Sequence, residues 1–388
     1  MAIAPLTGIR VLELGSFIAG PSAGRILADL GAEVLKVEPP EGDDLRNWST
    51  PAPDGTSWWF KSHNRNKRFL CFDLHRERDR KIVREIALRC DVVLENFRPG
   101  RMAEWGLGAD ELRRERPDLI YVSISGFGQD GPYAKRAGFG NIAEAMGGLR
   151  YITGDPQGPP MRIGISLGDE LAALYAALGV LAALIARDRD GKGDRIDVSL
   201  IESCFSLMEG ILPEYKALGK IRERDGNRIA ITAPNNVYPT ADGKWFAIGA
   251  NAPSVFRRFC ALIGRPELAD DPRFHNNQAR TAHIEELDEI VAEWTKRRDA
   301  AEISLLLAEA GVPAGPVYSI AEICADPHFR ARGAISEIQD SDGNTVATYG
   351  VVPKFAEHPT RLERAAGRLG EETEKVLQEL GIDVESFA

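Results

Sequence analysis

Asp169 is the side chain whose type and setting most directly suggest chemistry. It follows Gly168 in the segment Pro159-Pro-Met-Arg-Ile-Gly-Ile-Ser-Leu-Gly-Asp-Glu170, and an almost purely apolar run, Leu171 to Ala186, comes after it. That run predicts a buried helix with a carboxylate at its start. Such an aspartate has two readings: an N-cap, among the commonest uses of Asp, or a carboxylate nucleophile that forms an acyl-enzyme. The helix dipole favours the anion by about 0.3–1 kcal/mol, and burial opposes it.

Three other patterns compete. Gly164-Ile-Ser-Leu-Gly168 has the GxSxG spacing of a hydrolase elbow with Ser166 at its centre, but Pro159-Pro160 leave little room for the strand an elbow requires. Gly15-Ser-Phe-Ile-Ala-Gly20-Pro21 occupies the phosphate-binding turn of a Rossmann unit without GxGxxG or a P-loop Gly-Lys-Ser/Thr. NAD chemistry and ATP hydrolysis therefore lack support. The six histidines are scattered and form no HExxH, so metal catalysis lacks it too.

The elements that must hold Asp169 are those of an α/β protein. Arg10–Leu14, Glu33–Val37, Arg68–Asp73, Asp91–Glu95 and Leu119–Ile124 read as near-continuous apolar strands, with helices at Ser22–Leu30 and Asp79–Arg89. Such alternation predicts a parallel sheet covered on both faces. After a turn cluster at Asp188–Asp194, composition changes near 215–235, and Asp242-Gly243 marks a hairpin. The expected organisation is a large Rossmann-like domain over 1–205, a smaller inserted α+β domain over 225–325, and a segment over 330–388 returning to the first.

With 388 residues, 44% hydrophobic and 27% charged, the chain has an ordinary globular profile. Its net charge of −10 argues against nucleic acid as a partner. It leaves room for a local basic pocket, and Asn64-Arg-Asn-Lys-Arg68 and Arg98-Pro-Gly-Arg101 are the clusters that suggest one. Five separated cysteines suit a reducing compartment. The 171–186 run falls short of the ~20 residues that cross a bilayer. The expectation is a cytoplasmic protein without membrane or nucleic-acid partners.

Taken together, the motifs resemble the class III CoA-transferases, and the resemblance covers nearly the whole chain. The matching segments include Leu6–Leu14, Ala19-Gly-Pro21, Leu30–Glu38, Asn64–Arg68, Asp91–Gly100, Ser125–Pro132, Asp197–Ser203, Asp271–Phe274 and Gly311–Pro316. The resemblance implies that Asp169 is the nucleophile, carrying first a mixed anhydride and then an aspartyl-CoA thioester. It implies no permanently bound cofactor, since a coenzyme A thioester is itself a substrate and a free carboxylic acid the acceptor. It places the CoA pocket at Ile18, Ala19, Phe72, Asp73, Leu74, His75, Asn96, Phe97 and Arg98, with Ala134–Ala137 near the pantetheine; within this chain Arg98 and Arg101, and after them Lys135, are the candidate phosphate partners.

The sequence also departs from the family pattern. Pro39 and Glu104 stand where some relatives carry arginine, Ile18 replaces a glutamine, and Ile248-Gly-Ala-Asn-Ala252 replaces a glycine-rich flap, leaving Gly249 and Ala250 as the flap candidates. Phe139 stands where racemases of the same fold carry a catalytic histidine, which favours transfer over 2-methylacyl-CoA racemisation. The stretch Met146–Gly154 is similar to that of transferases of C4–C5 dicarboxylates, and Arg150 and Arg162 are candidates for the distal carboxylate. A solvated or ion-paired role for both arginines is the alternative. The remaining alternatives are the racemase, a Ser166 thioesterase and a non-catalytic acyl-CoA binder. The resemblance further implies an interlocked homodimer, with 200–225 and 315–335 as candidate linkers.

Overall fold

The computed structural model describes residues 3–360 and 362–387. Six parallel strands form the main sheet: β1 (Arg10–Glu13), β2 (Glu33–Glu38), β3 (Lys67–Cys71), β4 (Val92–Glu95), β5 (Ile120–Ser125) and β6 (Arg195–Ser199). Their order is β3-β2-β1-β4-β5-β6, the doubly wound arrangement in which the chain reverses direction across the sheet between β1 and β4. Strand alternation builds two cores. Val11, Val34, Val92 and Leu94 face the helices Ala19–Asp29 and Leu167–Asp190. Leu12, Leu35 and Val93 face the helix Glu77–Ala87 and the C-terminal helix Thr373–Glu379. Both faces are thus buried, which is why these strands carry almost no alternating polarity.

The chain separates into two compact units: one of residues 1–149, 163–219 and 328–388, the other of residues 150–162 and 220–327. Within the first, a small antiparallel pair, β10 (Ile335–Gln339) and β11 (Thr345–Tyr349), accompanies the main sheet. The second has a three-stranded antiparallel sheet, β7 (Asn235–Pro239), β8 (Trp245–Gly249) and β9 (Ala314–Pro316), packed with helices around Phe246, Phe259, Val291 and Ile303. The Asp242-Gly243 turn joins β7 to β8, with Gly243 at φ 76°.

Two expectations about the apolar run need correcting. The helix spans Leu167–Asp190, 24 residues, because the first turn recruits Leu167-Gly-Asp and the polar Arg187–Asp190 continue it. By length and composition alone it is sufficient to cross a bilayer. Nor is it buried all round: Ala172, Ala173, Ala176 and Val180 pack inward, while Leu174, Leu178 and Ile185 are exposed.

Candidate active site

The first turn of the Leu167–Asp190 helix places Asp169 at the third helical position, with Ser166 as the N-cap residue. The cap reading of Asp169 therefore fails, because the helix begins at Leu167, three residues before the start an Asp169 cap would set. At the third position the carboxylate still lies in the dipole's favourable end, and it abuts a neighbour. That neighbour is Gly140, the first residue of the helix Gly140–Met146. A β-carbon on Gly140 would lie 2.1 Å from Asp169 Oδ2, so only glycine leaves room for the carboxylate. Gly168 is constrained similarly, its ideal β-carbon falling 2.9 Å from the Gly140 carbonyl oxygen and 3.2 Å from Cys204 Sγ.

No strand precedes Ser166, since residues 155–166 are irregular, so the hydrolase elbow is absent. Behind the turn, the Gly168 N–H donates to Glu144 Oε1 at 3.3 Å. Burial, with Glu144 and Asp169 adding to it, pushes the Cys204 thiol up to about 11. The cysteine is thus held as a neutral thiol beside the turn.

Asp169 lines a cavity of about 250 Å³ at the C-terminal ends of β1 and β4, the switch point of the sheet. The loop after β1 contributes Ser16, Phe17, Ile18 and Ala19, and the loop after β4 contributes Asn96, Phe97, Arg98 and Pro99. Arg136, Ala137 and Phe139 line it from the segment after β5. Asn96 ties the two strand-end loops together: its Oδ1 accepts from Ser16 N–H at 2.9 Å and its Nδ2 donates to the Ser16 carbonyl at 2.9 Å.

Of the residues expected around CoA, Ile18, Ala19, Asn96, Phe97 and Arg98 share this cavity with Asp169. Phe72 and Leu74 instead turn their side chains into the core. Asp73 accepts from the His75 N–H at 3.0 Å and pairs with Arg76 at 3.2 Å. The edges of His75 and Phe97 meet Trp105 at 5.8 and 5.2 Å, and Arg101 lies over that same indole while pairing with Glu104. Lys135 is exposed, one residue before Arg136. Arg150 and Arg162 belong to the second unit, as do Gly249 and Ala250. The Gly249 and Ala250 N–H groups donate to Pro313 and Pro234 carbonyls, and Ala250 is fully buried, so this stretch is fixed within its own sheet rather than a loose flap.

The basic cluster 64–68 is not a ligand pocket. Arg65 is buried against Asp29 at 2.7 Å, and Lys67 against Glu13 at 2.7 Å. Glu13 also takes Lys36 at 3.1 Å, and Lys36 in turn holds Asp43 and the Gly15 carbonyl. Gly24 packs directly on the Glu13 carboxylate. Burial pushes Lys67 down to about 8 although Glu13 opposes it; Lys36 is pushed down by burial too, but Asp43, Glu13 and Glu38 outweigh it and raise it.

This ionic layer reaches the cavity wall through Asp43 and the loop after β1. Asp43 Oδ1 accepts from Phe17 N–H at 3.2 Å, holding Phe17 at φ 61°, a left-handed conformation costly for a bulky residue. The Phe17 ring is thereby set against Trp48 and Phe139, with centroids 5.1 and 6.1 Å away. Sequence reasoning missed Phe17 and the ionic layer, and reached Arg136 only as part of the 134–137 segment. The available signal was the presence of Glu13, Lys36 and Glu38 inside otherwise apolar strands.

A second carboxylate, Glu170, points the other way from Asp169. Its Oε1 accepts from Ser22 Oγ at 2.9 Å and meets His63 Nε2 at 3.0 Å. Burial favours its neutral form, but the hydrogen bond and charge of His63, with Arg25 and Ser22, outweigh it and hold this carboxyl below its ordinary range.

What the arrangement offers chemically is a carboxylate at a helix start, facing a cleft formed by backbone-rich strand-end loops and lined with arginine. Phe139 contributes an exposed ring and no titratable group at the cleft. The chain is 48% identical over 377 residues to the succinyl-CoA–D-citramalate CoA-transferase of Chloroflexus aurantiacus, covering 97% of this chain and 94% of that protein. It is 38% identical to the succinate–glutarate CoA-transferase of Agrobacterium fabrum, covering 97% and 96%. The crystal structure of a CAIB/BAIF family protein from Brucella suis superposes with a TM-score of 0.86 at 36% identity, covering 98% of this chain and all of that one. The profile of CoA-transferase family III matches residues 6–373, and the chain belongs to that family and is a CoA-transferase.

Proposed function

We propose that this enzyme moves CoA from a succinyl-CoA-type donor to a C4–C5 dicarboxylic acid, with Asp169 carrying the covalent intermediates. The observation that carries the reading is that the Asp169 carboxylate and the strand-end loops at the switch point line one cavity. The printed activities of the relatives supply the substrate class.

The sequence of steps follows from having one carboxylate nucleophile. Asp169 attacks the donor thioester carbonyl, the C–S bond breaks, and CoA thiolate leaves an aspartyl–succinyl anhydride. The thiolate attacks the aspartyl carbonyl, giving aspartyl-CoA thioester and free succinate. The acceptor carboxylate then attacks that thioester, releasing the thiolate, which attacks the acceptor carbonyl of the new anhydride and restores Asp169. One thioester is exchanged for another, so the reaction needs no external energy source. Each attack develops an oxyanion, which amide N–H groups near the helix start would stabilise.

CoA is assigned to the switch-point cleft along Ile18, Ala19, Asn96, Phe97 and Arg98, with the His75–Trp105–Arg101 surface and Lys135 serving its nucleotide end. Arg136, which lines the cleft, joins Arg150 and Arg162 as candidates for the distal carboxylate. The working unit is proposed to be a cytoplasmic, interlocked homodimer. The exposed Leu174, Leu178 and Ile185 of the long helix, with Leu212, Tyr215 and Leu218 of the helix Ile211–Leu218, support burial against a second copy.

The test is CoA exchange followed by mass spectrometry, with succinyl-CoA as donor and citramalate, malate, glutarate and butyrate as acceptors. The reading expects new dicarboxyl-CoA thioesters in amounts matching released succinate. Hydrolysis of succinyl-CoA without acceptor-CoA formation would overturn it.

A further inference from the structure

The Asp169-Glu170 pair places two adjacent carboxylates in the first turn of one helix. At 3.6 residues per turn they project about 100° apart, so a restraint on one sets the direction of the other. Asp169 abuts Gly140, whereas Glu170 is gripped by the helix Ala19–Asp29 and by His63, at the end of the helix Trp58–His63. The His63 side chain is about one-tenth exposed. Its Nδ1 lies 2.9 Å from the Trp59 carbonyl oxygen and its Nε2 lies 3.0 Å from Glu170. The carbonyl oxygen is an acceptor only, and so is Glu170 in the ionised form its surroundings favour. A ring that satisfies both carries a proton on each nitrogen and hence a positive charge.

We propose that His63 and Glu170 form a charged positioning pair that fixes the first turn of the helix, aims Asp169 into the cleft and cancels the second negative charge beside the nucleophile. This rests on the reading of Asp169 as the nucleophile. Without His63, the Glu170 carboxylate would add a like charge next to Asp169 and disfavour the anion that attacks.

The charged groups around the pair are consistent with that role. From the helix Ala19–Asp29 come Ser22, Arg25 and Asp29; Arg25 approaches Glu170 at 3.8 Å but is shared with Asp29 at 3.3 Å. From β11 comes Tyr349, whose ring lies under Arg25 at 5.1 Å. His63 is therefore the cation in hydrogen-bonding range of Glu170, and Arg25 the more distant one. The ring of Trp59 meets His63 edge-on at 6.2 Å and limits its rotation.

The experiment has two arms on the full-length protein. In the first, isotope-labelled histidine is followed by NMR, with His63→Gln assigning the signal. Both ring nitrogens of His63 are expected to be protonated at neutral pH in the wild type, and Glu170→Gln is expected to remove the Nε2 proton under the same conditions. A ring protonated on one nitrogen only in the wild type would overturn the inference.

In the second arm, His63→Gln and Glu170→Gln are each expected to lower kcat by about 10-fold while leaving KM for succinyl-CoA within about 2-fold, the signature of lost alignment rather than lost binding. The double variant, with two amides able to hydrogen-bond, is expected to be more active than the product of the single losses implies. Single variants with lower Tm but wild-type kcat would overturn the inference. Wild-type protein that exchanges no CoA would instead sink the functional reading, and the NMR arm would still decide the state of the pair.

Discussion

The α-carbon of Gly140 sits so close to the Asp169 carboxylate that a β-carbon there would approach Oδ2 to 2.1 Å. The position of the Asp169 carboxylate is thus set by the absence of a side chain on a neighbouring helix. Gly140→Ala must push the carboxylate aside, and misplacement by about 1 Å costs on the order of 100-fold in rate. The expected result is a kcat lower by about 10–100-fold, with CoA affinity measured by calorimetry nearly unchanged because the strand-end loops are untouched. An unaltered kcat would show that the carboxylate has room to move.

A pH effect follows from Glu95, at the end of β4. Burial, opposed in part by hydrogen bonds from Ser123 and the Phe97 N–H, pushes this carboxyl up to about 7. Because its folded value is raised, its contribution to stability is fully present below about pH 4.5 and is lost as pH rises through about 7. Glu95→Gln keeps an oxygen for Phe97 and removes the ionisation. Its stability relative to wild type is expected to increase with pH across this window, by up to roughly 3 kcal/mol. Thermal unfolding at pH 5 and pH 8 checks this, and a variant whose Tm relative to wild type stays level or falls with pH would refute it.

The ionic layer makes a second stability prediction. Lys36→Met leaves Glu13 and Asp43 buried with one cation fewer and removes the ammonium held by the Gly15 carbonyl. Breaking such a group by deleting one member costs about 3–5 kcal/mol. Denaturant unfolding should show that loss. Activity of the surviving folded fraction should fall too, since Asp43 also holds Phe17 in its left-handed conformation.

Substrate choice is tested through the arginines. Replacing the residue that grips a distal carboxylate removes a charge-assisted hydrogen bond worth about 1.5–3 kcal/mol, or about 10–100-fold in kcat/KM. Among Arg136→Gln, Arg150→Gln and Arg162→Gln, at least one should lose that factor with a dicarboxylate acceptor and little with butyrate. Equal losses with both acceptor classes would remove all three from that role.

The strands were legible because both faces of the sheet are buried, so Val11-Leu12 and Val92-Val93-Leu94 read as unbroken apolar runs. The family motifs pointed to Asp169 and to the loops after β1 and β4, and the structure brings those loops and that side chain to one cavity. Less legible was whatever depends on partners distant in sequence. Glu13 meets Lys36 and Lys67 only once β1, β2 and β3 lie side by side, so the 64–68 cluster looked like part of a basic pocket. Phe17 in a left-handed conformation is hidden because nothing about phenylalanine signals it. The helix start was misjudged because Leu167-Gly168 reads as turn until Glu144 accepts from the Gly168 N–H.

The central claim is that Asp169 carries the transferred group. Incubating the enzyme with succinyl-CoA and no acceptor, quenching with hydroxylamine, and sequencing the peptides by mass spectrometry tests it most directly. The account predicts a hydroxamate on Asp169 that requires succinyl-CoA, together with loss of CoA exchange in Asp169→Ala. Undiminished exchange in Asp169→Ala, or a hydroxamate on another carboxylate, would contradict it.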